Sequence, residues 1–297
     1  MNPTTPEILR EAGDLVEHLA VIPERLVYDF GPCSPTGQRF HHPRGWLEDV
    51  QQMVQGRPLT AHSFGLSLPS VRPLDGAMVS EMAWISEQLG GFDWFSEHLN
   101  VTIPSWQTDP HSNTSIALPV SYDQEVYGLL SQKLRLLRSR LNCRLLIENP
   151  ATMIPLPEME MSEPAFLNRL HRDGLAGTLL DLHNLLVSAR NGGIDMGRYL
   201  EALDPAAVEE IHLAGGDEWD GFYTDSHSQL TPEELWDVAA DFVPRCTNLR
   251  AITLEYNESY FEDFGIDGVV AELERMRRLC RTAATAGSMT VGGHHAA

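Results

Sequence analysis

Lysine is nearly missing. Lys133 is the single lysine among 297 residues, and the remaining basic residues are arginines. It falls in a helix-like stretch, 124–141, which leaves Schiff-base and pyridoxal-phosphate chemistry without a placed amine. Positive charge is scarce altogether, with 21 Lys and Arg against 42 Asp and Glu and a formal charge of −21. A nucleic-acid or anionic-membrane binder needs a basic face to release counterions, so neither partner is expected. The four cysteines, Cys33, Cys143, Cys246 and Cys280, lie far apart with no C-x-x-C pair. That spacing argues against a thiolate zinc site, an iron–sulfur cluster or a disulfide framework. No run of 18 apolar residues occurs, and the first residues show no basic segment followed by an apolar one. Neither a membrane span nor a signal peptide is expected, and the expected compartment is the cytoplasm. Gly215-Gly216 has no phosphate-loop context, so no nucleotide cofactor is implied.

What is present is apolar material enough for a core, at 42% of residues. The length suits one (β/α)₈ barrel of the TIM type. Short apolar runs alternate with amphipathic stretches, the pattern of an α/β protein. Strands are expected at 25–29, 59–64, 94–98, 144–148, 177–181, 208–213 and 251–255. Helical periods fall at about 73–89, 122–141, 162–172, 195–203, 231–242 and 265–282, with hydroxyl, proline and acid at the starts near Ser162 and Thr231. A long loop follows Leu99, and a second irregular stretch covers 214–230. No composition break marks a second domain. The expectation is one catalytic domain over 1–283 and an aperiodic, disordered tail over 284–297.

The strand ends carry the chemistry. His62, His98, Glu148, Asp181, His212 and Glu255 close six successive apolar runs, 36, 50, 33, 31 and 43 residues apart. In a parallel barrel the C-terminal strand ends share one mouth, where active sites are built. One such residue alone commonly caps a helix or bonds within the core; six in succession make that account strained. Imidazoles and carboxylates gathered together call for a cation, and nitrogen and oxygen donors without thiolate suit iron, manganese or zinc. Asp225 and His227, two apart, can present both side chains to one ion on extended backbone. Asn184 can add an amide oxygen, and His183 is a candidate ligand or base. Glu97 could orient its neighbour His98 instead of ligating. This many donors exceed the needs of one ion, which implies two or three. His111, in the loop after Leu99, is a candidate substrate contact, whereas Trp84, Trp94 and Trp106 read as packing residues.

The motifs His62-Ser63, Ser96-Glu97-His98-Leu99, Glu148-Asn149-Pro150, Asp181-Leu-His-Asn184, Glu210-Ile-His212-Leu-Ala-Gly215, Asp225-Ser-His227 and Leu254-Glu255 occur in this order. Together they resemble the multinuclear non-heme iron-dependent oxidative enzymes, a family that includes the methanobactin oxidase iron subunit and the thiaglutamate-pathway enzyme. The resemblance spans about residues 25–282. It implies a TIM barrel with two or three irons, dioxygen as co-substrate, and a cysteine or other side chain of a ribosomally made precursor peptide as target. A small peptide-presenting partner protein is also implied. Carried over, the metal ligands would be His62, His98, Glu148, Asp181, Asn184, His212, Asp225, His227 and Glu255; His183, outside that set, is the candidate catalytic residue. The sequence departs from the family at Glu255-Tyr256-Asn257, where one branch has Glu-Trp-Asp, and at His183, where an asparagine is common. Two other readings remain: a divalent-metal barrel isomerase or hydrolase of the xylose-isomerase or endonuclease type, and a metal-binding recognition protein without catalysis.

Overall fold

Strands buried on both faces read as unbroken apolar runs, and that is how the β-segments of this chain are written. The computed structural model describes residues 4–103, 116–153 and 157–289. Seven strands carry the β/α alternation: β1 (Leu19–Val21), β2 (Leu59–Ser63), β3 (Trp94–His98), β4 (Arg144–Glu148), β5 (Gly177–Asp181), β6 (Val208–Leu213) and β7 (Ala251–Leu254). Nine α-helices are described: α1 (Thr5–Ala12), α2 (Trp46–Val54), α3 (Gly76–Gln88), α4 (Gln124–Leu141), α5 (Glu163–Arg172), α6 (Leu182–Gly192), α7 (Met196–Ala202), α8 (Glu233–Phe242) and α9 (Phe261–Met289).

The contacts divide the chain into two compact units. The first comprises Glu17–Pro150 and Glu158–Gly177; the second is the chain from Thr178 onward, together with α1. In the first unit β1 to β4 run parallel in sequence order, with Ala20 beside Thr60, His62 beside Ser96, and His98 beside Glu148. In the second, β5, β6 and β7 are parallel neighbours, with His212 level with both Asp181 and Thr253. Side chains alternate between faces along a strand. His62, Ser96, His98 and Glu148 therefore share one face, whereas Ser63, Glu97 and Ile147 occupy the other.

Side-chain caps start several helices. Asp75 accepts from Ala77 and Met78, Asp123 from Val126, and Ser162 from Ala165. The expected cap at Thr231 is different: Pro232 holds the cap position of α8, and the Thr231 backbone N–H donates to Glu272.

Other expectations need correction. Residues 25–29 are not a barrel strand: Pro23–Leu26 forms a 3₁₀ turn, and Tyr28–Asp29 pairs antiparallel with Phe40–His41. Pro23 starts that turn, and its ring fixes φ while removing an N–H donor. The strand beside β2 lies earlier, at Leu19–Val21. Helix α6 had no expected counterpart, because its first seven residues are all buried and leave no amphipathic period. Helix α9 continues past Ala284 to Met289 and is kinked at Gly265, where φ is 61°. After Leu99, Val101–Ile103 pairs with Ile116–Leu118, whereas Trp106 and His111 lie outside the described residues. No described helix is long and apolar enough to cross a membrane.

Candidate metal sites

In the first unit, the shared face of β2, β3 and β4 brings His62, His98 and Glu148 together. The two Nε2 atoms are 2.9 Å apart, and Glu148 Oε2 lies 3.3 Å from His62 Nε2 and 3.4 Å from His98 Nε2. His62 and Glu148 are buried, and His98 is partly exposed. A hydroxyl fixes the orientation of one ring. Ser96 Oγ donates to the Ala61 carbonyl at 3.2 Å, so its lone pair is left to accept from His62 Nδ1 at 2.9 Å. With the proton on Nδ1, the Nε2 lone pair points at Glu148 and His98, the tautomer a metal ligand needs.

Behind this face lies a second layer that sequence reasoning took up only through Glu97. Ser63 Oγ has one proton but two carboxyl neighbours, Glu24 Oε1 at 2.5 Å and Glu97 Oε2 at 2.8 Å. Burial and the nearby Glu24 push Glu97 up to about 8. Burial also raises Glu24, against the bonds from Ser63, Phe64 and Gly65 that favour its charge. Strand alternation puts Glu97 here and away from the His62 cluster, and its Oε1 accepts from the His98 backbone N–H at 3.1 Å. Glu24 joins it from 39 residues upstream of Ser63, a separation with no periodic signal.

The second unit gathers a more acidic set. Asp181, at the end of β5, also caps α6, its Oδ1 accepting from Asn184 N at 2.7 Å. Its Oδ2 lies 4.0 Å from His212 Nδ1, which is 3.2 Å from Glu255 Oε1. On the other side of the ring, His212 Nε2 is 3.3 Å from Glu210 Oε1, which accepts from Thr253 Oγ1 at 2.6 Å. Glu210 is not among the expected site residues; its i, i+2 spacing from His212 on a strand is the signal that marks it. Asp225 Oδ1 accepts from His183 Nδ1 at 3.1 Å and lies 2.9 Å from His227 Nε2. His227 Nδ1 lies 3.7 Å from Glu255 Oε2. Donor atoms of Asp181, His227 and Glu255 fall within 4.8 Å of one another, as do those of His183, Asp225 and His227. Asn184 is buried, and its backbone completes the α6 cap.

Two glycines allow the loop donors to reach this cluster. A Cβ on Gly215 would stand 2.1 Å from the Leu230 carbonyl oxygen, and one on Gly216 would stand 2.0 Å from that of Thr224. The segment returning through Asp225 and His227 thus lies directly against the chain that leaves β6. His227 itself adopts φ 52°, a left-handed conformation uncommon outside glycine, and its carbonyl accepts from Asn257 N.

The electrostatics match this crowding. Burial pushes Asp181 up to about 6. Burial also disfavours the charged form of His212, but Glu255 and Glu210 outweigh it and hold the imidazole well above its usual value. His227 is raised to about 9 by its bond to Asp225, against the opposing effect of burial. Asp225 is held well below the usual carboxylate range by His183 and His227, despite its burial. A divalent cation would neutralise the same carboxylates while leaving the rings neutral, and every donor is nitrogen or oxygen. The residues of both clusters fit a metal of the iron, manganese or zinc class.

Comparison with known proteins shows the family and the fold. A family model described as RiPP precursor modification enzyme MbnB/TglH/ChrH matches residues 8–281. A UPF0276 protein of Chromobacterium violaceum is 34% identical over 200 residues, covering 67% of this chain and 70% of its own. UPF0276 protein NMB2142 of Neisseria meningitidis serogroup B is 26% identical over 282 residues, covering 91% and 96%. Among solved structures, the IOLI protein with a bound zinc atom aligns with TM-score 0.55 at 13% identity, covering 95% of this chain and 93% of its own. D-psicose 3-epimerase from Clostridium cellulolyticum H10 aligns with TM-score 0.53 at 9% identity, covering 96% and 92%. These likenesses show a TIM-barrel fold.

Proposed function

The chain belongs to the RiPP precursor modification enzyme family, and from that premise we propose that it is an oxygen-dependent multinuclear iron oxidase. Its proposed target is a side chain, most naturally a cysteine thiol, of a ribosomally made precursor peptide. The observation that supports this reading is the pair of thiolate-free clusters, one in each unit, with imidazole and carboxylate atoms at 2.9–4.0 Å.

His62, His98 and Glu148 would hold one ion. Asp181, His212, Asp225, His227 and Glu255, with Asn184 from the first turn of α6, would hold at least one more, giving two or three in all. Bound iron would supply dioxygen activation and would lower the pKa of a substrate thiol. Ser96 keeps the His62 lone pair directed at Glu148 and His98. Thr253 holds Glu210 against His212. His183, a candidate ligand or base from the sequence, is fully enclosed; its proposed role is to donate from Nδ1 to Asp225 Oδ1.

The test is metal analysis with Mössbauer spectroscopy on anaerobically prepared protein, followed by oxygen uptake with the cognate peptide. Two or three irons per chain and oxygen uptake matched to peptide modification are expected. A requirement for a small peptide-presenting partner would appear as turnover only after its addition. An iron-free chain, or turnover without oxygen on magnesium, manganese or zinc, overturns the reading, and the second result would point to an isomerase or hydrolase.

A further inference from the structure

Between His212 and Asp225 the chain makes a small antiparallel hairpin, Glu218–Trp219 against Phe222–Tyr223. Asp220 and Gly221 form its turn with φ of 49° and 84°, the two left-handed residues that a tight hairpin turn requires. Of the inner pair, Glu218 is exposed and Tyr223 anchors the hairpin. Tyr223 is buried: its ring meets His183 edge-on at 5.6 Å, Arg190 lies over it at 4.1 Å, and its hydroxyl accepts from Gly216 N. Asn191 completes the anchor, with Tyr223 N donating to its Oδ1 at 3.0 Å and its Nδ2 donating to the Tyr223 carbonyl at 2.7 Å. Arg190 is itself paired with Glu234. The pair beside the turn faces water, with Trp219 at 73% and Phe222 at 44% exposure.

Two large rings held outward on an anchored support are a poor arrangement for an isolated surface, since both leave apolar area in water that a partner would cover. Their surroundings select the chemistry of what could cover them. Three carboxylates, Asp217, Glu218 and Asp220, flank Trp219 in the sequence, and Arg190, the guanidinium that lies over Tyr223, is already paired with Glu234. Aromatic faces among carboxylates attract guanidinium and ammonium groups through ring quadrupole and charge together, and repel anionic segments.

We propose that this hairpin docks a cationic segment of the peptide substrate, with an Arg or Lys side chain laid on Trp219 and Phe222. The proposal rests on the peptide-modifying reading above and extends it to a recognition element. Trp219 lies seven residues after His212 and six before Asp225, so a peptide gripped here is held by the same loop that carries two candidate metal ligands.

The experiment uses the full-length, iron-reconstituted protein and two fluorescein-labelled synthetic peptides, one with Arg alternating with Gly and Leu, the other with Glu in place of each Arg. The Arg peptide should bind by fluorescence anisotropy, more weakly as salt rises, and the Glu peptide should not. Replacing both rings, Trp219→Ala with Phe222→Ala, should weaken Arg-peptide binding about tenfold or more, whereas Trp219→Phe should hold it within about threefold. Iron content per chain should be the same in all variants. Absence of Arg-peptide binding, equal binding of the Glu peptide, or undiminished binding by the double variant overturns the proposal. Iron content and oxygen uptake with the cognate peptide report separately on the parent reading, so docking can fail while that reading stands.

Discussion

The two candidate ligand clusters are made by different means. In the first unit, three strands in register set two imidazoles and one carboxylate on a common face, and a serine one strand over fixes a ring. In the second, strand ends supply Asp181 and His212, but Asp225 and His227 arrive on a loop that must pass within contact distance of two glycines. The strand-built cluster is held by regular pairing and is rich in neutral donors. The loop-assisted one is more acidic and depends on backbone shape. Regular secondary structure is therefore enough to place a small ligand set, whereas a larger one needs irregular chain with its own packing requirements.

The largest expected effect would break this comparison. Gly216→Ala puts a methyl group 2.0 Å from the Thr224 carbonyl and 3.0 Å from His183 Nε2, so the returning segment must move. We expect a loss of more than about 2 kcal/mol in stability and of at least one metal ion per chain, with the His62 cluster still loaded. Denaturant titration and metal analysis check both. Unchanged metal content would show that the loop donors do not depend on that close approach.

A smaller effect sharpens it from the other side. Ser96→Ala should leave the acidic cluster unaffected and weaken metal binding at His62, His98 and Glu148 by about 10–100-fold, as loss of a ring-orienting partner commonly does. Ser96→Thr keeps the hydroxyl and should restore most of the affinity. Competition with a chelator measures both variants, and equal affinity in the alanine variant would mean that the His62 tautomer is set by something else.

The smallest effect concerns the layer behind the strand-built cluster. Burial raises the folded-state pKa of Glu24 above its ordinary 4.5. Its contribution to stability is thus full below pH 4.5 and declines as pH rises toward the folded value. Glu24→Gln retains a carbonyl oxygen for Phe64 and Gly65 but cannot ionise. The metal-free variant should lose less stability than the parent as pH rises above 4.5. Parallel stability–pH curves for the two proteins would contradict this.

Much of the fold and the site could be read in the residues themselves, for reasons that also explain the misses. Each of β2 to β6 is a compact apolar run with a donor at or beside its end, so period and chemistry mark the same place. Asp181 shows that the structural and functional readings of a strand-end acid need not compete, since it caps a helix and faces His212. The first strand was misplaced because Leu19–Val21 is only three residues long, whereas 25–29 is a longer run whose first two residues belong to a proline-led turn. Helix α6 escaped because burial of its first seven residues erases the polar face that reveals a helix. Glu24, Ser96 and Thr253 act through partners 34 to 43 residues away, where no local pattern speaks for them. Gly215-Gly216 was visible as a pair, but its cause lies in carbonyls 8 to 15 residues downstream.

Asp181 leaves little room for substitution. One oxygen of its short side chain holds the first turn of α6 while the other faces His212. Asparagine could preserve the helix start but would bring no negative charge, and glutamate would keep the charge on an arm one methylene too long to serve both ends. The position behaves as a hinge pin joining a backbone element to an ionic one, so whatever loosens the first turn of α6 also shifts the carboxylate oxygen that faces His212.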